Sequence, residues 1–415
     1  MEERNFRTYP YRWAVLALFM FVNLTIQVLW ISYAPITGQA ARFYGVGDLQ
    51  IGFFSMLFML AFIPLSIPAS WAIDTWGFHV AVGIGAVLMG VFGLLRGLGG
   101  QSYALALAGT AGVAVAQPFL LNAWTKVPAR WFPADERATA VGLVTLSNLA
   151  GTALGMVLTP ILAETMPIPR IQLVYGAVTA LSSLLFIAFA RERPPTPPCP
   201  EGEDQRALMF DGLKHALSVP SFRLYLAVSF IGIGIFNGVA TWIEAIVRPR
   251  GIGPEQAGTL GAIMLVAGVL GAVALPPLSD KRGRRKPYLV VGMAFGAPGL
   301  LGLALGSSFP LLCASSAVLG FFLVSAMPIG MQYAAEITQP APEGTSNGLI
   351  QLFGQASVVF VYVMEAMRTP GGSFAPALFL ALGLLLLNVL FVALLRESAP
   401  RLGSRASRPS LSRDT

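Results

Sequence analysis

Apolar runs of about twenty residues recur twelve times along the chain, separated by short polar or glycine- and proline-bearing turns. They fall near 13–38, 51–73, 78–96, 102–124, 139–163, 169–190, 222–247, 256–279, 287–308, 310–333, 345–367 and 374–396. Each is long enough, as a helix, to cross a hydrocarbon core of ~30 Å. The pattern predicts an all-α membrane protein with twelve transmembrane helices. Glycine and proline recur inside the runs, which neighbouring membrane helices tolerate. The first run follows Arg4, Arg7 and Arg12, as a signal peptide would. It is longer than a signal core and no A-x-A site follows it, so it reads as a span.

Composition agrees. The chain of 415 residues is 55% hydrophobic and only 11% charged, against the ~25% of a water-soluble domain. Mean hydropathy is +0.69, and lipid is the solvent that such a surface requires. Cys199 and Cys313 make no disulfide framework and have no metal-ligand spacing, so neither cofactor nor metal is expected. With both termini inside, only Arg42, Arg96, Arg170, Arg248, Arg250 and Arg368 of the 27 basic residues fall in outer loops. This asymmetry is the positive-inside rule, and it predicts a multi-pass protein of the cell membrane with cytoplasmic termini. The pI near 9.6 then reflects topology and anionic lipid, not nucleic acid.

Two halves align at one offset of 206 positions. Gly45, Gly47, Gln50 and Gly52 fall on Gly251, Gly253, Gln256 and Gly258; Asp74 and Gly77 fall on Asp280 and Gly283; Thr139, Gly142 and Leu143 fall on Thr345, Gly348 and Leu349. A constant offset from first loop to fifth span marks a duplicated six-helix unit, with substrate expected at the repeat interface near mid-membrane. The expected organisation is two pseudo-symmetric six-helix bundles, 1–190 and 219–396. A cytoplasmic linker, 191–218, joins them, and a disordered tail, 397–415, follows. The glycine-rich GVGDLQIG lacks a preceding strand and recurs in an outer loop of each half, which rules out a dinucleotide fingerprint.

Between the eighth and ninth spans lies GAVALPPLSDKRGRRK, which resembles the loop signature of the major facilitator superfamily. A carboxylate at the membrane edge, Asp280, followed by Gly283 and basic residues including Arg284, would pin the loop to a neighbouring helix and latch one conformation. A solvated basic loop is the alternative for the arginines. The first half keeps Asp74 and Gly77 but lacks the basic run. Glu343 stands at the position equivalent to Arg137, so the expected pairs are Asp74 with Arg137, and Glu343 with an arginine of 282–285.

Polar groups inside spans are costly unless they face a cavity or a partner. Asn23, Gln27 and Trp30 share one face of span 1, Asn237, Thr241 and Glu244 one face of span 7, and Asn347, Gln351 and Gln355 one face of span 11. Gln117 is isolated in span 4. Interhelical hydrogen bonding is the alternative for each amide, and pairing with Arg248 one turn away is the alternative for Glu244. Trp30 falls on Phe236 at the offset, so two aromatic side chains would face each other across the molecular axis. Such walls suit an ammonium group, at ~0.5–2 kcal/mol per cation–π contact.

The segments LWISYAPI, SMLFMLAFIPLSIPASW, AVAQPFLL, ARWFPADERATA and PEGTSNGLIQLFGQ resemble the feline leukaemia virus subgroup C receptor-related family of transporters, including its MFSD-type branch. The resemblance implies transport of choline and ethanolamine, with haem also proposed for the family, and a choline ammonium caged by aromatics and approached by two glutamines. It assigns Trp30, Met59, Gln117 and Gln355 to that site, and places the family's helix 7 tyrosine on Phe236 or Asn237, where no tyrosine stands. Glu244 would serve as counter-charge or coupling site.

The expected function is alternating-access transport of a small organic solute by facilitated diffusion in a lipid-embedded monomer, with no enzymatic activity. Export of haem or amphiphilic drugs, proton coupling through Glu244, and a non-translocating receptor are the alternatives.

Overall fold

The computed structural model describes residues 8–133, 136–196, 210–341 and 343–397. Among them are twelve helices long and apolar enough to cross a membrane. Spans 1 to 6 are Tyr11–Tyr44, Asp48–Trp76, Phe78–Leu98, Tyr103–Leu121, Thr139–Thr165 and Ile168–Phe189. Spans 7 to 12 are Pro220–Arg250, Pro254–Arg282, Lys286–Leu305, Phe309–Ile337, Thr345–Ala366 and Ala375–Leu394. All twelve overlap the expected runs. Several extend a turn or two further, because charged and polar residues at their ends continue the helix beyond the apolar stretch. Residues 210–218, expected as linker, form a helix, Phe210–Ser218. The expected tail beyond residue 397 lies outside the described residues.

The two halves repeat one packing scheme. Spans 1–5, 1–6, 2–4, 3–4 and 3–6 pack together in the first half, and 7–11, 7–12, 8–10, 9–10 and 9–12 in the second. Close approach comes from glycine, as is usual where lipid gives no drive to bury apolar surface. A Cβ at Gly176 would meet the backbone of Gly93, and one at Gly320 the backbone of Met264. Leu184, Val273 and Leu394 are more than half exposed on the outside, which suits lipid.

The duplication extends to backbone conformation. Gly45 and Gly251, and Gly77 and Gly283, are pairs at the 206 offset, and all four have positive φ. In this region a Cβ is disfavoured, so the same glycines recur in both copies. The starts of spans 3 and 9 are also capped alike. Glu192 accepts the backbone N–H of His79 at 2.7 Å, and Glu397 accepts that of Arg285, the offset equivalent, also at 2.7 Å.

The end of the molecule carrying the described chain ends and the Arg284 loop is called the basic end below. The halves meet through spans 5 and 8, 2 and 11, and 1 and 7. Near the opposite end Gly258 and Gly261 of span 8 lie against Met156 of span 5, and Gly52 of span 2 lies under the Trp242 ring of span 7.

Candidate functional site: a central cavity and its gate

Between the halves lies a cavity of about 190 Å³. Span 1 contributes Gln27 and Trp30, span 4 Gln117, and span 5 Asn148 and Thr152. Span 7 supplies Tyr225, Ser229, Phe236 and Asn237, and span 11 Gln351 and Gln355. The cavity runs from Trp30 and Phe236 at mid-span toward Trp124, Tyr225 and Met331 near the basic end. Every lining residue is uncharged. Gln117 is almost fully buried, and Gln27 Oε1, Trp30 Nε1, Gln117 Oε1 and Asn148 Oδ1 have no hydrogen-bond partner among the described residues. Buried polar groups are normally paired, so the chamber offers a ligand several acceptors, one indole N–H and aromatic faces, without a fixed charge.

At the end opposite the basic end, charged residues join the halves. Arg248 of span 7 donates to Glu244 one turn earlier, at 2.8 and 2.5 Å, and to Asp48 at the start of span 2, at 2.8 Å. The same Asp48 oxygen accepts from Arg368 at 2.7 Å, and Arg368 also reaches Glu365 at 3.1 Å. A second link across the halves runs from the Gly38 amide of span 1 to Glu244 at 3.2 Å. Gly38 leaves room for the guanidinium: a Cβ there would lie 2.6 Å from Arg248 Cζ. This lattice ties the two halves together on that side.

The ion pairs described at the basic end each stay within one half. Arg285 donates to Glu336 of span 10 at 2.9 Å and pairs with Asp280 of span 8. Partial burial alone would lower the Arg285 pKa, but the bonds to Glu336 and Asp280 and their charges outweigh it and raise it. In the first half Lys126 pairs with Asp74 at 2.8 Å, and Arg12 with Glu136 at 3.0 Å.

A family model for the Major Facilitator Superfamily matches residues 14–253 and 244–413. The chain belongs to the major facilitator superfamily. It is 29% identical to solute carrier family 49 member A3 of Danio rerio, across 88% of this chain and 80% of that protein. It is 28% identical to the choline/ethanolamine transporter flvcr2b of Danio rerio, across 95% of this chain and 86% of that one. Among solved structures, a bacterial homologue of the human lysosomal transporter Spinster, inward-facing and occupied, superposes with a TM-score of 0.71. That match has 15% identity and covers 94% of this chain and 97% of the other.

In this membrane transporter several of the residues anticipated from sequence share the cavity: Trp30, Gln117, Phe236, Asn237 and Gln355. Met59 does not line it; the side chain is buried in the core between spans. Glu244 is no counter-charge there either. Its carboxylate is taken by Arg248 and the Gly38 amide, because the span 7 face turns from cavity to gate between Asn237 and Glu244. Asn23, on the same stripe as Gln27, donates to the Phe19 carbonyl of its own helix.

The latch residues need correction as well. Asp74 pairs with Lys126, not Arg137, whose Nε donates to the Phe132 carbonyl. Arg284 is exposed while Arg285 makes the bridge, since Gly283 in the left-handed conformation ends span 8 and reverses the loop. The Glu343 side chain, and so its anticipated pairing with an arginine of 282–285, lies outside the described residues. Arg96, expected in a loop, is buried within span 3.

Other cavity residues were missed. Tyr225, Ser229 and Gly232 lead to the anticipated Phe236 at steps of four, three and four, a helical stripe visible in the sequence. Asn148 is a mid-span amide of the kind singled out elsewhere. Trp124 follows span 4, and no periodicity points it inward.

Proposed function

We propose that this transporter carries a small solute bearing an ammonium group, of the choline or ethanolamine kind, by facilitated diffusion with alternating access. The observation that carries this reading is the cavity itself. Trp30 and Phe236 offer aromatic faces in the same chamber as the amides of Gln117 and Gln355, with no fixed charge in the lining. Aromatic faces attract a desolvated cation, and amide oxygens accept from a primary ammonium or a hydroxyl. The volume also bears on substrate size, since drug-sized ligands occupy sites of roughly 300–1,000 Å³, which disfavours haem. The relative named as a choline/ethanolamine transporter supports the same class.

In this reading residues 1–190 rock against 219–396 about the cavity, joined by 191–218, with 397–415 as a tail. The basic end faces the cytoplasm of a cell-membrane protein, following the positive-inside rule. The structure is then the state closed to the outside, with the Asp48–Arg248–Arg368 lattice as the outer gate and the Arg285 clasp as a brace within the second half. The protein works as a monomer in lipid.

Thermal stability of the purified protein against choline, ethanolamine, betaine and haem tests the assignment, because a ligand of the folded state raises the melting temperature. The expected result is a shift with an ammonium compound that is lost in Trp30→Ala and Gln355→Ala. A shift with haem alone would overturn it.

A further inference from the structure

Span 1 is not one helix. An α-helix, Tyr11–Ile31, gives way to a 3-10 turn, Ala34–Ile36, and resumes as Thr37–Tyr44. Pro35 lies in the 3-10 turn and, with no N–H, cannot make the α-helical bond back to the Ile31 carbonyl. Such a break frees backbone carbonyls, which inside a membrane must find other donors.

Beside the Ser32 hydroxyl, which donates to the Leu29 carbonyl at 3.2 Å, Arg96 of span 3 supplies further donors. It is fully buried, and Nη1 donates to the Leu29 carbonyl at 2.6 Å while Nη2 donates to Ser32 Oγ at 3.2 Å. Its guanidinium carbon lies 4.5 Å from the centre of the Tyr33 ring. Gln172 of span 6 reaches the same Ser32 hydroxyl at 3.3 Å, and Tyr33 bonds across the break to Tyr44 at 2.9 Å. Among the described residues no carboxylate pairs with Arg96. A buried charge without an ion partner is expensive, and an apolar side chain would serve packing alone.

The second half makes the comparison sharp. Span 7 runs as a continuous α-helix over Pro220–Val247. At the 206 offset, Pro35, Ser32 and Tyr33 fall on Thr241, Gly238 and Val239, Gln172 falls on Leu378, and Arg96 falls on Gly302. The break and its brace are present together in one half and absent together from the other.

We propose that Arg96 is a positioning residue that holds the break of span 1. Trp30, on the cavity, lies between the two residues that Arg96 grips, Leu29 and Ser32. Gly38, whose amide meets Glu244 in the gate, is two residues beyond the 3-10 segment. Loss of the guanidinium frees the segment between cavity wall and gate while the rest of the bundle keeps its packing.

Hydrogen–deuterium exchange of the full-length protein in detergent tests this without any added solute, so the result does not depend on the substrate class proposed above. In Arg96→Gln, amides of residues 29–38 are expected to exchange about tenfold faster, as for a local opening, while spans 9 and 12 keep wild-type rates. Ser32→Ala, which keeps the guanidinium but removes the hydroxyl shared with Gln172, is expected to give about a threefold rise in the same segment. An unchanged 29–38 segment in folded Arg96→Gln, or a rise spread evenly over all spans, would overturn the proposal. Should Arg96→Gln give no monodisperse protein, Ser32→Ala decides: an unchanged segment there refutes the brace.

Discussion

Single atoms decide much at the gate. Gly38 has no Cβ, and the space is taken by the Arg248 guanidinium, which is held by bonds to Glu244 and Asp48 and cannot swing away freely. Gly38→Ala should therefore weaken the closed gate by about 1–3 kcal/mol, the usual penalty for overpacking. A maleimide applied from the gate side to a cysteine introduced at Thr241 would react faster in Gly38→Ala than in the glycine parent; equal rates would mean the lattice adapts. At the cavity, Trp30→Ala should lower ammonium affinity about 2- to 30-fold, the range of a cation–π contact, while Trp30→Phe should recover part of it. Titration calorimetry with choline and ethanolamine separates the two substitutions. Equal losses in both would point to the indole N–H, which has no partner among the described residues, and away from the aromatic face.

At the scale of the element, the gate rests on Asp48 at the head of span 2, which serves Arg248 of span 7 and Arg368 of the loop after span 11. Removing one partner of a largely buried charge pair typically costs 2–5 kcal/mol. Asp48→Asn should leave Arg248 and Arg368 facing each other and shift the population toward the state open at that end. Distances between spin labels on the gate-side ends of spans 1 and 7 would lengthen; an unchanged distribution would show that the packing of Met156 against Gly258 and Gly261 holds the closure instead. Most spans and their duplication were legible in sequence, because membrane length and a fixed offset are one-dimensional signals. The Glu244–Arg248 contact was also within reach as a spacing of four. Its partners Asp48 and Arg368 were not, since they arrive from the head of span 2 and the loop after span 11, with no regular sequence relation to span 7. Arg96 was misplaced for a related reason: a charge near the end of an apolar run reads as loop unless the break it serves is known.

At the scale of the whole molecule, the distribution of charge constrains energetics. The described residues that line the cavity are uncharged, and Glu244, the span 7 carboxylate singled out in the sequence, is engaged in the gate. A solute carrying one positive charge would then cross with no carboxylate, histidine or other charged group among the described residues that line its chamber. Transport under the proposed mechanism should be electrogenic and insensitive to a pH gradient. In proteoliposomes with a potassium diffusion potential, negative inside, each elementary charge gains about 2.3 kcal/mol per 100 mV. Accumulation of choline at equilibrium should accordingly reach about 50-fold at that potential and collapse when the potential is dissipated. Glu244→Gln should slow uptake through the gate without introducing or removing pH dependence. Uptake indifferent to potential would mean that the chamber carries a neutral or zwitterionic solute, which its amides and indole N–H would also accept, and would leave the aromatic walls with a packing role.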